Sequence, residues 1–197
     1  MKKSERTRQL IIEQAADIFN EKGVAGTSID EVLQAAKVAK GCLYGHFQSK
    51  DELALASAAY LLDKVAARRM NILQQHKTSV DKLLAYAEMN VNPLDNSFVH
   101  GGCPILNFGV DTDDTNQAIR EKVHAVIKAA NRNLVNIMKE GVAAGELSPE
   151  INPEEFAIKL FATMEGAFLM SRVMGSPLPM KTAIRAMKKE IIAYSLI

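Results

Sequence analysis

Residues 27–53 read TSIDEVLQAAKVAKGCLYGHFQSKDEL, and the fold follows from how they are spaced. Ser28, followed three residues later by Glu31, is a capping box, which starts a helix by satisfying its first unpaired N–H groups. Ile29, Val32, Leu33 and Ala36 then recur at i, i+3, i+4 and i+7, one apolar stripe. Lys37-Val38-Ala39 interrupts it. A second short helix follows, with Leu43 and Phe47 four residues apart on its inner face. Its outer face shows Lys40, Gly41, Cys42, Tyr44 and His46. Two short helices and a tight turn, with a cation, a glycine, an aromatic ring and an imidazole on the second, predict a DNA-binding helix-turn-helix.

The run VAKGCLYGHFQSKDEL (38–53) resembles the recognition-helix signature of the TetR family of bacterial transcriptional repressors, of the form S-x-G-x-(L/F)-Y-x-(H/Y)-F-x-x-K-x-x-L. Gly41, Leu43, Tyr44, His46, Phe47, Lys50 and Leu53 match it, with Thr27-Ser28 upstream. Ala39 stands where the family often has a serine cap, and Gly45 where a side chain often reaches the DNA. The resemblance covers about the first quarter of the chain. It implies a repressor that a small molecule releases from a palindromic operator. Thr27, Ser28, Lys37, Lys40, Gly41, Cys42, Tyr44, His46 and Lys50 are the expected DNA contacts. Of these, Thr27, Tyr44, His46 and Lys50 suit phosphates, Lys40 and Cys42 lie nearest to base edges, and Gly41 permits close approach.

Composition alone would miss this, because the net charge is only +1. Its distribution is more telling: residues 1–50 hold 8 Lys+Arg against 6 Asp+Glu, and the rest 16 against 17. The excess is small and has the sign a nucleic-acid surface needs. Lys2, Lys3, Arg6 and Arg8 suit a basic arm. No apolar run approaches the ~20 residues that span a bilayer. Glu13, Gln14 and Asp17 break the apolar stretch that a signal peptide would require. Two cysteines far apart in sequence read as reduced thiols in a cytoplasmic protein.

In chain order, a first helix is predicted over 4–22, ended by Gly23. A long helix starts at the capping box Ser49–Glu52 and runs to about residue 75, and a further one is capped by Ser79. Residues 92–114, NPLDNSFVHGGCPILNFGVDTDD, then mix two prolines and three glycines with apolar side chains, a broken segment of the kind that lines cavities. Phe98, Cys103, Leu106 and Phe108 from it, with Met89, Met138, Phe161 and Met164 on neighbouring helices, are the predicted effector pocket, suited to an apolar small molecule. Asp111, Asp113 and Asp114 read as acids at the start of the next helix, 114–145. Asn152-Pro153-Glu154-Glu155 starts another. That helix is apolar nearly all round, so a second copy of the chain is needed to cover it. Phe156, Leu160, Phe168, Ile184, Met187 and Ile191 are the predicted homodimer interface.

The expected fold is therefore all-α: a helix-turn-helix domain over residues 1–48, and a larger helical domain for effector binding and dimerisation over 49–197. No metal or cofactor is expected, since His100 and Cys103 supply only two of the roughly four ligands of a structural zinc site. No hydrolytic triad, P-loop or dinucleotide fingerprint is present, so an enzyme is not expected. Two rival readings remain. One is a thiol-responsive regulator switching through Cys103 or Cys42. The other is a helical enzyme or carrier with a vestigial helix-turn-helix.

Overall fold

The computed structural model describes residues 2–95 and 98–197, so Asn96 and Ser97 of the segment 92–114 lie outside it. Nine helices occupy the described residues: α1 (Lys3–Gly26), α2 (Ile29–Ala36), α3 (Lys40–Tyr44), α4 (Lys50–Gln74), α5 (Ser79–Glu88), α6 (Pro104–Thr112), α7 (Gln117–Ala143), α8 (Pro153–Val173) and α9 (Leu178–Ala193). Among them the only extended pairing is one isolated bridge between Leu147 and Ser195. The chain is all-α, as expected.

Most helix ends lie where the local chemistry put them. The Ser28 hydroxyl accepts from the N–H of Glu31 at 3.2 Å, and the Glu31 carboxylate accepts from the N–H of Ser28 at 2.8 Å. Ser49 and Glu52 open α4 in a similar way. Asn152 caps α8 with Pro153 in its first turn. Two starts differ from expectation. Thr78, not Ser79, caps α5, its hydroxyl accepting from the N–H of Asp81. The helix after α6 begins at Gln117, because Asn116 supplies the cap, accepting from the N–H of Ile119.

The chain forms two compact units, one of residues 1–65 and 96–125, the other of 66–95 and 126–197. In the first, Ile11, Ala15 and Phe19 of α1 are buried, as are Val32 and Ala36 of α2, Leu43 of α3, and Phe47. Helix α6 also packs on α1. The segment 98–112 is thus part of the same unit as the helix-turn-helix, where sequence placed it wholly in the larger domain. In the second unit α9 packs against both α5 and α8. Leu160 and Met164 of α8 and Ile184 and Met187 of α9 are all buried, and Phe156 meets Tyr194 edge to face at 5.9 Å.

Candidate nucleic-acid interface

The tripod α1–α2–α3 is held from inside by the apolar residues above and from outside by one ion pair. The Lys22 ammonium of α1 meets the Glu31 carboxylate of α2. That hydrogen bond, with those from Ser28, pulls the Glu31 carboxyl down to about 2 from 4.5. A folded value below the unfolded one favours the fold above pH 4.5 and ceases to as pH falls toward 2. In acid titrations of unfolding, Glu31→Gln should therefore lose stability at neutral pH and show a flatter slope across that window. An unchanged slope would mean that the pair does not hold α1 to α2.

On this frame Lys37, Lys40, Gly41 and Tyr44 are exposed, while Cys42, His46 and Lys50 are half-buried. Lys37 adopts the left-handed conformation (φ 53°) that ends α2, its N–H donating to the Leu33 carbonyl. Helix α3 starts at Ala39 without a side-chain cap, as the missing serine implied. A Cβ built on Gly41 would meet nothing within 4 Å, so the backbone there is open to a large partner. Lys50 lies in the first turn of α4, among N–H groups that suit a phosphate. Lys2, Lys3, Arg6 and Arg8 are all exposed, and the Arg8 guanidinium lies 4.9 Å from the Phe47 ring centroid.

Thr27 departs from expectation. It is buried, and its hydroxyl donates to the Gly23 carbonyl at 2.8 Å, so that group is engaged within the fold. Ser28 is exposed, but its hydroxyl is engaged in the capping box.

Sequence reasoning missed the polar joint between α1 and the segment 100–111. The Asn20 amide, on a residue only 3% exposed, donates to the carbonyls of His100 (2.5 Å) and Gly102 (3.1 Å). The Asn107 amide donates to the backbone carbonyl of Asn20 (2.9 Å), its Oδ1 (3.2 Å) and the Gly101 carbonyl (3.0 Å). Asp111 accepts from the N–H of Val24 at 2.8 Å; it serves α1 rather than the start of α7. Gly23 breaks α1 there, with φ 73°. An unbroken helix would pair the Asn20 carbonyl with the Val24 N–H, and here two α6 side chains serve both groups. Gly101, with φ 80°, must be glycine, since a Cβ would come within 2.8 Å of Glu21. The only signal in the sequence was two asparagines inside helical patterns.

Of the predicted effector residues, Phe98, Cys103, Leu106 and Phe108 belong to the first unit, and Met89, Met138, Phe161 and Met164 to the second. Phe108 and Met138 are fully buried. The Lys64 ammonium lies 4.9 Å from the Phe98 ring centroid, so that wall is less purely apolar than its sequence suggested.

The interface residues need correction. Phe156, Leu160, Ile184, Met187 and Ile191 are buried within one chain, and Phe168 is half-buried. The large uncovered apolar side chains of the same helices are others: Ile158, Leu169, Met170 and Val173 on α8, Leu178 and Ile192 on α9. The apolar pattern correctly showed a helix with too much to cover, but not which face its own chain covers.

The family model described as "Bacterial regulatory proteins, tetR family" matches residues 11–57, and that of the "Tetracyclin repressor-like, C-terminal domain" matches 79–187. A crystal structure of a TetR-family transcriptional regulator from Cytophaga hutchinsonii is 34% identical, covers 100% of this chain and 98% of its own, and superimposes with a TM-score of 0.94. Among curated relatives, the transcriptional regulator AcuR of Cereibacter sphaeroides is 26% identical, covering 93% of this chain and 84% of its own. The transcriptional repressor DhaR of Mycobacterium sp. (strain GP1) is 24% identical, covering 84% of this chain and 82% of its own.

Proposed function

The chain belongs to the TetR family of bacterial regulatory proteins, and from that premise we propose a homodimeric repressor that a small molecule releases from a palindromic operator. It is a DNA-binding transcriptional regulator. The observation that carries the DNA reading is the outer face of α3, where Lys40 and Tyr44 flank a Gly41 with open space before it. Residues 1–48 read the operator, and 49–197 dimerise and take the effector. Two copies set their α3 helices about one DNA turn (~34 Å) apart to read both half-sites. An effector that favours the wrong spacing shifts the population, and moving it from 1:99 to 99:1 takes about 5.5 kcal/mol of differential affinity.

Selection of duplexes from a random pool by the purified protein should return a two-fold symmetric site; a pool without symmetry would sink the reading. On that duplex, Lys50→Ala should shrink the slope of log K against log salt by about 0.9 per lost contact, ~1.8 per dimer. An unchanged slope would remove Lys50 from the backbone contacts.

A second reading, thiol switching, is supported by the place of Cys103. It is the N-cap of α6, the end where backbone N–H groups favour a thiolate, and it follows Gly102, which accepts from Asn20. Cys42, half-buried on α3, is the other candidate. Oxidant should release the selected duplex from wild type but not from Cys103→Ser if this reading holds. Equal release would reject Cys103 as the switch.

A further inference from the structure

Residue 8 falls on the buried face of α1. It precedes Ile12, Ala15 and Phe19 at the i, i+4, i+7 and i+11 spacing of one helix face, and all three are buried. The position that would extend this stripe by one more apolar side chain carries an arginine instead. The Arg8 guanidinium carbon lies over the Phe47 ring, 4.9 Å from its centroid, and that ring is only 1% exposed. Arg8 itself remains exposed. Among the described residues no carboxylate lies within ion-pair distance of it. A ring offers no lone pair, so the contact leaves the five N–H donors of the guanidinium open to an acceptor.

A leucine or methionine would cover the ring without placing a charge there. What the stacked arginine adds is a cation at a defined position. Helix α1 begins at Lys3, so Arg8 stands in its second turn, inside the folded unit. Phe47 belongs to the link from α3 to α4: its N–H donates to the Leu43 carbonyl, His46 directly precedes it, and Lys50 follows three residues later. With 3.8 Å between successive Cα atoms, the Lys50 backbone lies within about 11 Å of that of Phe47. The ring therefore draws a cation from α1 to the stretch where His46 and Lys50 already stand. A guanidinium is charged at any physiological pH, and its fork of donors matches two oxygens of a phosphate at once.

We propose that Arg8, positioned by Phe47, is a phosphate contact of the DNA-binding unit, acting beside Lys50 rather than as part of a terminal arm in the minor groove. The inference rests on the protein being a DNA-binding regulator and adds a residue to its interface. A phosphate contact carries no base information; it fixes the register in which α3 meets the duplex.

The test uses the full-length chain, the selected symmetric duplex and a random duplex of equal length, titrated across a range of salt. Arg8→Met keeps an apolar stem over the ring and removes the charge. It should melt within about 3 °C of the wild type, the shift that roughly 1 kcal/mol gives a chain of this size. Its slope of log K against log salt should shrink by about 0.9 per lost contact, ~1.8 per dimer, and both duplexes should be bound roughly 10–100-fold more weakly. Arg8→Lys should keep the wild-type slope and lose only part of the affinity, because it keeps the charge without the fork. An unchanged slope in Arg8→Met would make Arg8 a cover for Phe47 and nothing more. A loss confined to the selected duplex would make it a reader of bases, and a slope that shrinks equally in Arg8→Lys would show that its charge is not what the DNA meets; each overturns the assignment. Failure of the operator reading shows separately, as the absence of a selected symmetric site, and the slope on random duplex still tests Arg8.

Discussion

Leu169→Asp will sediment as a monomer, and its affinity for the selected duplex will fall by roughly 10²–10⁴-fold, the avidity that linking two half-site readers supplies. Leu169 is 51% exposed on α8 and Val173, one turn on, 79%, with Ile158 uncovered towards the other end of the helix. Ala162 and Gly166 are exposed between them, and such small side chains let another helix approach closely. A carboxylate placed in this stripe costs little in an isolated chain, where water reaches it. In a dimer it is desolvated among apolar groups, at several kcal/mol without a partner. Ile192→Asp tests the same face from α9. Phe168→Asp is a poorer probe, because Phe168 is half-buried in its own chain and the variant would also disturb the protomer. Wild-type sedimentation by Leu169→Asp would move the interface elsewhere.

The stripe also shows where sequence reasoning reaches its limit. The amphipathic period placed the helices of this chain within a few residues, because caps and glycines act locally: Ser28 with Glu31, Asn152 before Pro153, and Gly145 at φ 72°. The outer face of α3 was legible for the same reason, since a short helix with Leu43 buried must expose Lys40, Gly41 and Tyr44. What was not legible depends on partners distant in sequence. Phe156 and Leu169 are both apolar residues of α8, and tertiary packing, Tyr194 against the Phe156 ring included, decides that one is buried and the other open. Thr27 looked like a phosphate contact until the Gly23 carbonyl was found to accept its hydroxyl.

The joint between α1 and α6 is the most distant of these effects, and its removal should have the largest effect on stability within one chain. Asn107→Ala deletes an amide that serves three acceptors, leaving the Asn20 carbonyl, Asn20 Oδ1 and the Gly101 carbonyl without that donor. Stranded part-buried acceptors cost about 1–3 kcal/mol each where water cannot replace the donor. Partial rehydration of this site argues for about 2–4 kcal/mol in total, a large share of the 5–15 kcal/mol that holds a typical domain together. Asn20→Ala should cost a similar amount, since it leaves the carbonyls of His100 and Gly102 unserved. The two losses should not add, because the side chains share a hydrogen bond and one network. Denaturant unfolding of both single variants and the double variant measures this directly. A double variant as unstable as the sum of the singles would show that the asparagines act independently. Losses below about 0.5 kcal/mol, the range of ordinary surface substitutions, would show that α6 is held to α1 by its apolar residues, Ile105 and Phe108, alone.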